Sequence, residues 1–506
     1  MQVPFLALKL NPLSLFGAIG KFFSSRSKAS EIDRELPFTV MLFTLMATSG
    51  VAIFDAWRRT SRMKLLPETQ KEAREVVRQV EVLGYDPLTV MYRKAEDASS
   101  KTYRDFLAGY VSSVKSGANI GNFMRSRLRS VLEAQTAAAV RSIERLGTLV
   151  EAYAVMLMVT LCVYILYVVM SATALFEYMD LGAASTSLQP FMAGLIFLTT
   201  PFITLVFLAV ANLSRQSSLL TTREAYRNAL FAGLAVSAFL VAVVYVPQMS
   251  LLIEVLTLPG LATLCLTAIS LPAAFAYYRI AKVNFAAEEA MPSFLRDVTE
   301  SRKIGLSPVK SIIHATKRKA YGRFSDTLKL VRSQIEWGVP LRKIYRSIER
   351  QITSWPVLVY FLVLIETIEY GGSADALEIL SDYSEKKRDI EANKRSTLKP
   401  YVVLAFVWSV LIALTTSIVA VTIYVLAQIG APGSPQVMLS SIQAQVAMFS
   451  VGIIFQCWVS GFFIGKVSEG CFAAGFKYSA MLALTGFASL VLSQNYLAGM
   501  LGVFSG

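Results

Sequence analysis

The chain has a single histidine, His314, in 506 residues, and only four cysteines, Cys162, Cys265, Cys457 and Cys471, none in a C-x-x-C spacing. Acid/base triads and His-ligated metal sites need an imidazole held against a second group, so most of that chemistry is set aside at once. Three of the cysteines lie inside apolar runs, which reads as packing and excludes a disulfide framework or a zinc knuckle. Charge is scarce as well: Asp, Glu, Lys and Arg make up 17% of the chain against 54% hydrophobic residues, and the mean hydropathy is +0.52. Ordinary soluble domains are not this oily, so the class is membrane-embedded. No G-x-x-x-x-G-K-[ST] phosphate loop is present, so the chain does not encode its own nucleotide site. No catalytic residue, cofactor or metal-ligand set is expected, and the protein is read as a non-enzyme.

Seven nearly uncharged runs are there instead, at about 149–176, 188–213, 229–249, 251–278, 401–428, 443–465 and 478–504, each long enough to cross a bilayer of roughly 30 Å as a helix. With a cytoplasmic N-terminus the inner segments are 1–149, 214–228, 279–400 and 466–477. They hold 22, 3, 22 and 2 Lys plus Arg, the whole complement of 49. The outer segments hold none, and the acids Glu151, Glu177, Asp180 and Glu254 sit at helix ends or in the first outer loop. This positive-inside pattern predicts a cytoplasmic N-terminus and an external C-terminus. The net charge of +14 is then mainly a topology signal. No aromatic-interleaved basic strip accompanies it, so nucleic acid is not expected, and anionic membrane lipids or acidic protein surfaces are the expected partners. An uncharged stretch at 36–54 is assigned to a soluble bundle, because it contains Pro37 and Gly50 and would push five basic residues outside. Residues 1–23 lack a small-residue cleavage pattern and read as an interfacial or docking segment.

Two charged, helix-patterned blocks lie between the apolar runs, and a spacing of 255 residues superposes them: Pro37 meets Pro292, Gly50 meets Gly305, Phe106-Leu107 meets Phe361-Leu362 and Gly117 meets Gly372. Glycine corners recur about every 33 residues, at Gly50, Gly84 and Gly117 and again at Gly305, Gly338 and Gly371-Gly372. Each marks a helix end, with a following Asp-Pro, Ser-Pro or Val-Pro starting the next helix, and Pro37 and Pro292 are read with them as structural corners. Ala73, Val76, Val77, Val80 and Leu83 follow the i, i+3, i+4, i+7 stripe of a helix with one buried face. The fold class is thus an all-α integral membrane protein, with about seven transmembrane helices and two homologous cytoplasmic helical bundles, each large enough for its own small core. The expected order is an N-terminal segment 1–23, module 1 at 24–148, four membrane helices at 149–279, module 2 at 280–399 and three membrane helices at 400–506.

The duplicated all-helical module, with Leu36-Pro37-Phe38 and Met291-Pro292-Ser293-Phe294 near its starts, Gly-x-x-Pro corners and Ile365-Glu366-Thr367-Ile368-Glu369-Tyr370-Gly371-Gly372 before a membrane run, resembles the type II secretion system F-domain family. The resemblance covers both modules and their following helices, about two thirds of the chain. Its members are the inner-membrane platform proteins of type II secretion, type IV pili and archaella. The extra spans at 188–278 and 443–504 look more like the archaeal branch, which builds archaella and adhesion pili. The resemblance implies a homodimeric platform that has no catalytic site, binds no cofactor, contacts pilin-like subunits in the membrane and couples them to a hexameric cytoplasmic secretion ATPase. Residues 373–428, a charged helix entering the fifth span and interrupted by Pro400, would transmit that coupling.

Candidate partner contacts are the basic cluster Lys386, Lys387, Arg388, Lys394, Arg395 and Lys399, and a second cluster at Lys317, Arg318, Lys319 and Arg323. The plainer readings are a solvated helix face with positive-inside anchoring for the first and an exposed turn for the second. Glu366 and Glu369 share one helix face and are expected to meet basic residues of module 1 or of a partner, or to form a surface pair without function. In the membrane, Gln456 and Asn495 are expected to hydrogen-bond between helices, Gly461 and Gly465 to form a close-packing face, and Pro201, Pro259 and Pro272 to kink their spans. Glu151 and Glu254 are near enough to helix ends to reach the interface. A polytopic secondary transporter is the alternative function, which would want buried charges or paired broken helices at mid-membrane.

Overall fold

The computed structural model describes residues 12–48, 50–180, 188–214, 219, 222–245, 251–318, 321–369, 374–430 and 435–501. Among them are sixteen helices and no β-strand. The first copy comprises α1 (Pro12–Thr48), α2 (Ile53–Thr60), α3 (Pro67–Glu81), α4 (Pro87–Asp97), α5 (Lys101–Lys115) and the start of α6 (Ile120–Asp180). Next come α7 (Leu188–Ser214), α8 (Arg223–Tyr245) and α9 (Leu251–Lys303). The second copy runs from the end of α9 through α10 (Pro308–Thr316), α11 (Phe324–Glu336), α12 (Leu341–Gln351) and α13 (Trp355–Glu369) into α14 (Ala374–Gly430); α15 (Pro435–Glu469) and α16 (Phe472–Leu501) complete the chain. A shift of 255 residues carries the start and end of each of α2 to α5 to within two residues of those of α10 to α13, so the duplication read in the sequence is a duplication of helices.

The corners form for a stated reason. Gly50, Gly84, Gly117, Gly305 and Gly338 all have positive φ, between 68° and 92°, where a side chain would be strained. At Gly50, Gly117, Gly305 and Gly338 the glycine N–H bonds three residues back and the next N–H five residues back, for example Gly338 N to Ile335 O and Val339 N to Gln334 O, both 2.9 Å. That pair of bonds satisfies the last carbonyls of the helix. Gly371 and Gly372 lie outside the described residues. Pro37 and Pro292, read as corners, are instead inside α1 and α9. The helix tolerates Pro37 because the carbonyl it orphans, that of Asp33, accepts Gln135 Nε2 at 3.3 Å. Pro400 likewise lies within α14 and does not interrupt it.

The chain forms two compact units. The first comprises Met1–Ala138 and Ala286–Arg388, the second Ala139–Phe285 and Asp389–Gly506. In the first unit the two copies share one hydrophobic cluster, which runs from Leu36, Phe43 and Trp57 through Phe106 to Phe294, Phe324 and Leu364. The expected separate cores are thus merged. The cause is α13, Trp-Pro-Val-Leu-Val-Tyr-Phe-Leu-Val-Leu-Ile-Glu-Thr-Ile-Glu, which is apolar on all sides and buries twelve of its fifteen residues. A helix of that kind must be covered all round, and one copy alone has too few helices to do it. Phe38 of α1 supplies cover, its ring edge-on to Trp355, Tyr360 and Tyr383 at 5.2, 5.7 and 5.4 Å. Residues 36–46 of the 36–54 stretch are accordingly buried in this core.

In the second unit each of the seven apolar runs lies, over its described residues, in a helix of its own. Six helices are long and apolar enough to cross a membrane over their described residues, and Thr199–Asn212 of α7 is a shorter apolar helix. The chain is therefore an all-α, multi-pass membrane protein. α9 breaks at Thr257 (φ 58°, ψ 156°), two residues ahead of Pro259. α15 and α16 form a hairpin turning at Gly470, φ +77°. Its helices touch backbone to backbone: a Cβ on Gly461 would stand 2.3 Å from Ser479 Cα, and one on Gly465 would stand 2.4 Å from Gly475 Cα.

Candidate functional site

The junction of the two copies is built on charge. Glu366 sits in α13 with 5% of its surface exposed, a costly place for a carboxylate unless it is paired. Arg59 of α2 reaches it across the junction, Nε to Oε2 at 2.8 Å, and also donates through Nη2 to Glu369. Arg342 at the start of α12 adds a bond to Glu369 at 3.2 Å and stands 3.8 Å from Glu366. Burial pushes the Glu366 carboxyl above its ordinary range, and Arg59 and Arg342 oppose that shift without cancelling it. The sequence points to a counter-charge for Glu366 but not to Arg59, 307 residues away; only the fold brings them together.

A second buried carboxylate was not foreseen. Glu35 accepts the backbone N–H of Thr69 at 2.7 Å and of Glu68 at 3.3 Å, closing the N-terminus of α3. Burial raises its pKa, and the bonds from Thr69 and Glu68 hold it down only in part. Asp33 and Glu288, equivalent by the 255-residue shift, make equivalent contacts: Asp33 accepts from Ser100 Oγ, and Glu288 accepts from Ser354 Oγ at 2.6 Å.

The basic clusters are largely engaged inside the protein. Arg388 lies 3.4 Å from Glu385 and Lys394 3.6 Å from Glu391. Arg395 stacks on Phe285 at 4.3 Å. Lys386 is exposed and acts electrostatically on Asp382. Arg318 pairs with Asp297, which also accepts Tyr321 Oη. Lys317 is exposed, and Lys319 lies outside the described residues.

Exposed apolar side chains on the first unit were not foreseen either. They are Val82, Leu83, Tyr85, Tyr92, Ile304, Val309 and Trp337, with Trp337 86% and Ile304 79% exposed. Five of the seven flank Gly84, Gly305 or Gly338. The sequence signal was the large apolar residue directly beside each corner glycine, where helix periodicity no longer dictates burial.

Within the second unit, α6, α7 and α15 meet in a buried polar network. Tyr153 Oη lies 2.7 Å from Ser460 Oγ and 3.3 Å from Thr204 Oγ1, and Gln456 Nε2 donates to Thr204 at 2.9 Å. Gln456 Oε1 has no partner among the described residues. At the α15–α16 turn, Glu469 accepts from Tyr277 Oη at 2.8 Å and Tyr478 Oη at 3.1 Å, with Lys477 at 3.3 Å. Lys466, 3% exposed, donates to Gly470 O at 3.1 Å and lies over the Phe472 ring. Glu151 accepts from Tyr401 Oη at 2.9 Å. The Glu254 side chain lies outside the described residues. Asn495 is exposed. These groups are arranged to hold helices together, and no group of three or more His, Cys, Asp or Glu residues suited to a metal occurs among the described residues.

Comparison with known proteins fits this architecture. The chain is 21% identical to the uncharacterized protein MJ1286 of Methanocaldococcus jannaschii, over 96% of its own length and 83% of that protein's. No solved structure matches it. Residues 294–420 match the family described as Type II secretion system (T2SS), protein F, a stretch that begins at Phe294 in the shared core and ends in the membrane-spanning part of α14. Proteins of that family are membrane platforms that work with secretion ATPases and pilins. With its duplicated bundle and apolar helices, the chain is a multi-pass membrane protein in which residues 294–420 match the type II secretion system protein F family.

Proposed function

We propose that this protein is the cytoplasmic-membrane platform for an archaeal type IV pilus-like filament, an adhesion pilus or an archaellum. In this reading it is a non-enzymatic homodimer that couples a hexameric secretion ATPase to the insertion of pilin-like subunits. The F-domain match over the second copy carries the reading. The likeness to a Methanocaldococcus jannaschii protein over nearly the whole chain supports the archaeal branch. The location of every Lys and Arg in the inner segments supports placing the bundle and the N-terminus in the cytoplasm and the C-terminus outside. With no phosphate loop in the sequence, energy has to come from a partner. α6, α9 and α14 supply the route, because each continues from the bundle into a membrane-spanning run.

The test is a pull-down of the detergent-solubilised full chain against the host's secretion ATPases, with charge reversal of Lys386, Lys387 and Arg388 as a second arm. Binding to one ATPase is expected and identifies the filament through that partner. Loss of binding in the variant assigns docking to α14, and retained binding assigns it to another surface. A folded sample that binds none of them overturns the platform reading.

A further inference from the structure

The exposed apolar residues of the first unit gather at one end of its bundle. α9 leads to the Gly305 corner and α14 leads back, with Lys303 Nζ 2.8 Å from Glu378 fixing the two ends side by side. α11 and α12 turn at Gly338, and Arg342, one turn later, bonds to Glu369 at the end of α13. The Gly338 corner therefore lies at the same end as the Gly305 corner. In the first copy Arg58 bonds to Glu81 at the end of α3 at 2.7 Å, while its neighbour Arg59 bonds to Glu366. A run of ion pairs thus connects the Gly84 corner to the Gly338 corner across the junction. Beside the α2 members of that run lies a cleft of about 260 Å³, lined by Val51, Asp55, Arg58, Arg59 and Arg62.

Two features say what covers this end. First, the duplication places Val82 and Trp337 at equivalent positions, Val82 two residues before Gly84 and Trp337 directly before Gly338, and they are 75% and 86% exposed. Two copies of one module thus offer an apolar anchor at the same point, which fits a partner that presents the same pocket more than once. Second, cations stand among these side chains: Lys343 and Arg346 on α12 have no acidic partner among the described residues, and Arg93 and Lys115 lie over the rings of Tyr85 and Tyr92, at 5.2 and 5.7 Å. An apolar anchor ringed by cations is matched by an apolar pocket rimmed with carboxylates.

We infer that the corner end of the bundle, with Val82, Leu83 and Tyr85 from one copy and Trp337 from the other, is the docking face for a soluble homo-oligomer bearing acid-rimmed apolar pockets. The inference rests on the platform reading and adds where the partner sits and why it is oligomeric. Exposed Trp and Tyr side chains are among the residues that dominate binding in protein interfaces, and loss of such an anchor weakens binding by about tenfold or more.

The experiment places a photo-crosslinking residue at Leu83 or at Trp337 of the full chain in its own host's membranes. A parallel arm compares Trp337→Ala and Leu83→Ser with the unaltered chain for partner binding. Both substitutions are at exposed positions, and unchanged thermal unfolding of the solubilised chain confirms that they fold. The expected result is one soluble protein crosslinked from both positions, oligomeric when purified, and bound at least about tenfold more weakly by each substituted chain. Adducts to lipid, to a second copy of this chain, to different proteins at the two positions, or to nothing overturn the inference. If the common adduct is a secretion ATPase, both readings stand. If it is another soluble oligomer, the docking face stands and the ATPase coupling falls.

Discussion

Glu366 illustrates how a buried charge serves a fold without adding to its net stability. Its pKa is raised by burial, so the folded state holds the proton more tightly than the unfolded chain does. Stability from this group is greatest below the ordinary carboxylate range and is lost as pH rises through the raised value. Glu366→Gln keeps the acceptor for Arg59 and removes the charge. It is expected to match or exceed the original chain in unfolding temperature at pH 7, and to lose that advantage on acidification. Arg59→Ala is the opposite case, because it leaves the buried Glu366 with only the Arg342 guanidinium, 3.8 Å away. Removing one partner of a buried pair costs about 3–5 kcal/mol, and the deficit is expected to shrink as falling pH protonates Glu366. Thermal unfolding of the solubilised chain between pH 5 and pH 8 separates the two, and a deficit for Arg59→Ala that does not change with pH contradicts the pairing. What Arg59 contributes is register: it ties α2 of one copy to α13 of the other.

At the scale of the element, the α15–α16 hairpin depends on absent side chains. Helix association in a bilayer gains nothing from the hydrophobic effect and relies on close packing, and Gly461 and Gly465 let the α15 backbone reach Ser479 and Gly475. Gly461→Ala would put a methyl 2.3 Å from Ser479 Cα, so α15 must shift along its whole contact with α16. The variant is expected to lose at least about 1–3 kcal/mol and to show a lower unfolding temperature in detergent. An unfolding temperature equal to that of the original chain would mean the hairpin is not close-packed there. This glycine face was legible in the sequence as a small-x-x-x-small pattern, and so were the positive-φ corners, because both follow from local chain geometry. Glu35 at the N-terminus of α3, Gln135 on the carbonyl freed by Pro37, and the positive-φ glycines Gly322, ahead of α11, and Gly470, between α15 and α16, were not. The first two join segments far apart in sequence, where no periodicity links them. Gly322 and Gly470 stand outside the 33-residue spacing that marked the other corners. The exposed Trp337 was hidden for a related reason: composition shows that a tryptophan is present, but only the fold shows that no helix covers it.

At the scale of the whole molecule, the charge asymmetry and the shared core each make a claim that can be checked. Every Lys and Arg lies in the four segments proposed to be cytoplasmic, so a cysteine introduced in place of Ser185 or Ser434 is expected to react with a membrane-impermeant maleimide in intact cells, and one in place of Ser116 is not. Labelling at Ser116→Cys would invert the topology. The shared core makes the stronger claim, because the family match falls in the second copy and its following span, as though that copy were a self-sufficient domain. Its central helix argues otherwise. α13 buries twelve of fifteen residues, and part of its cover is Phe38, packed on Trp355 and Tyr360. Without the first copy, Trp355, Tyr360 and Glu366 face water, Arg59 is gone, and the loss of several large buried contacts at about 3–5 kcal/mol each approaches the 5–15 kcal/mol that holds a whole domain together. Residues 286–388 alone are therefore expected to lack a cooperative thermal transition by circular dichroism, and to regain one when mixed with residues 29–138. A sharp transition in the isolated 286–388 fragment would show that each copy closes its own core, and the ion pairs at the junction would then be contacts between two finished domains.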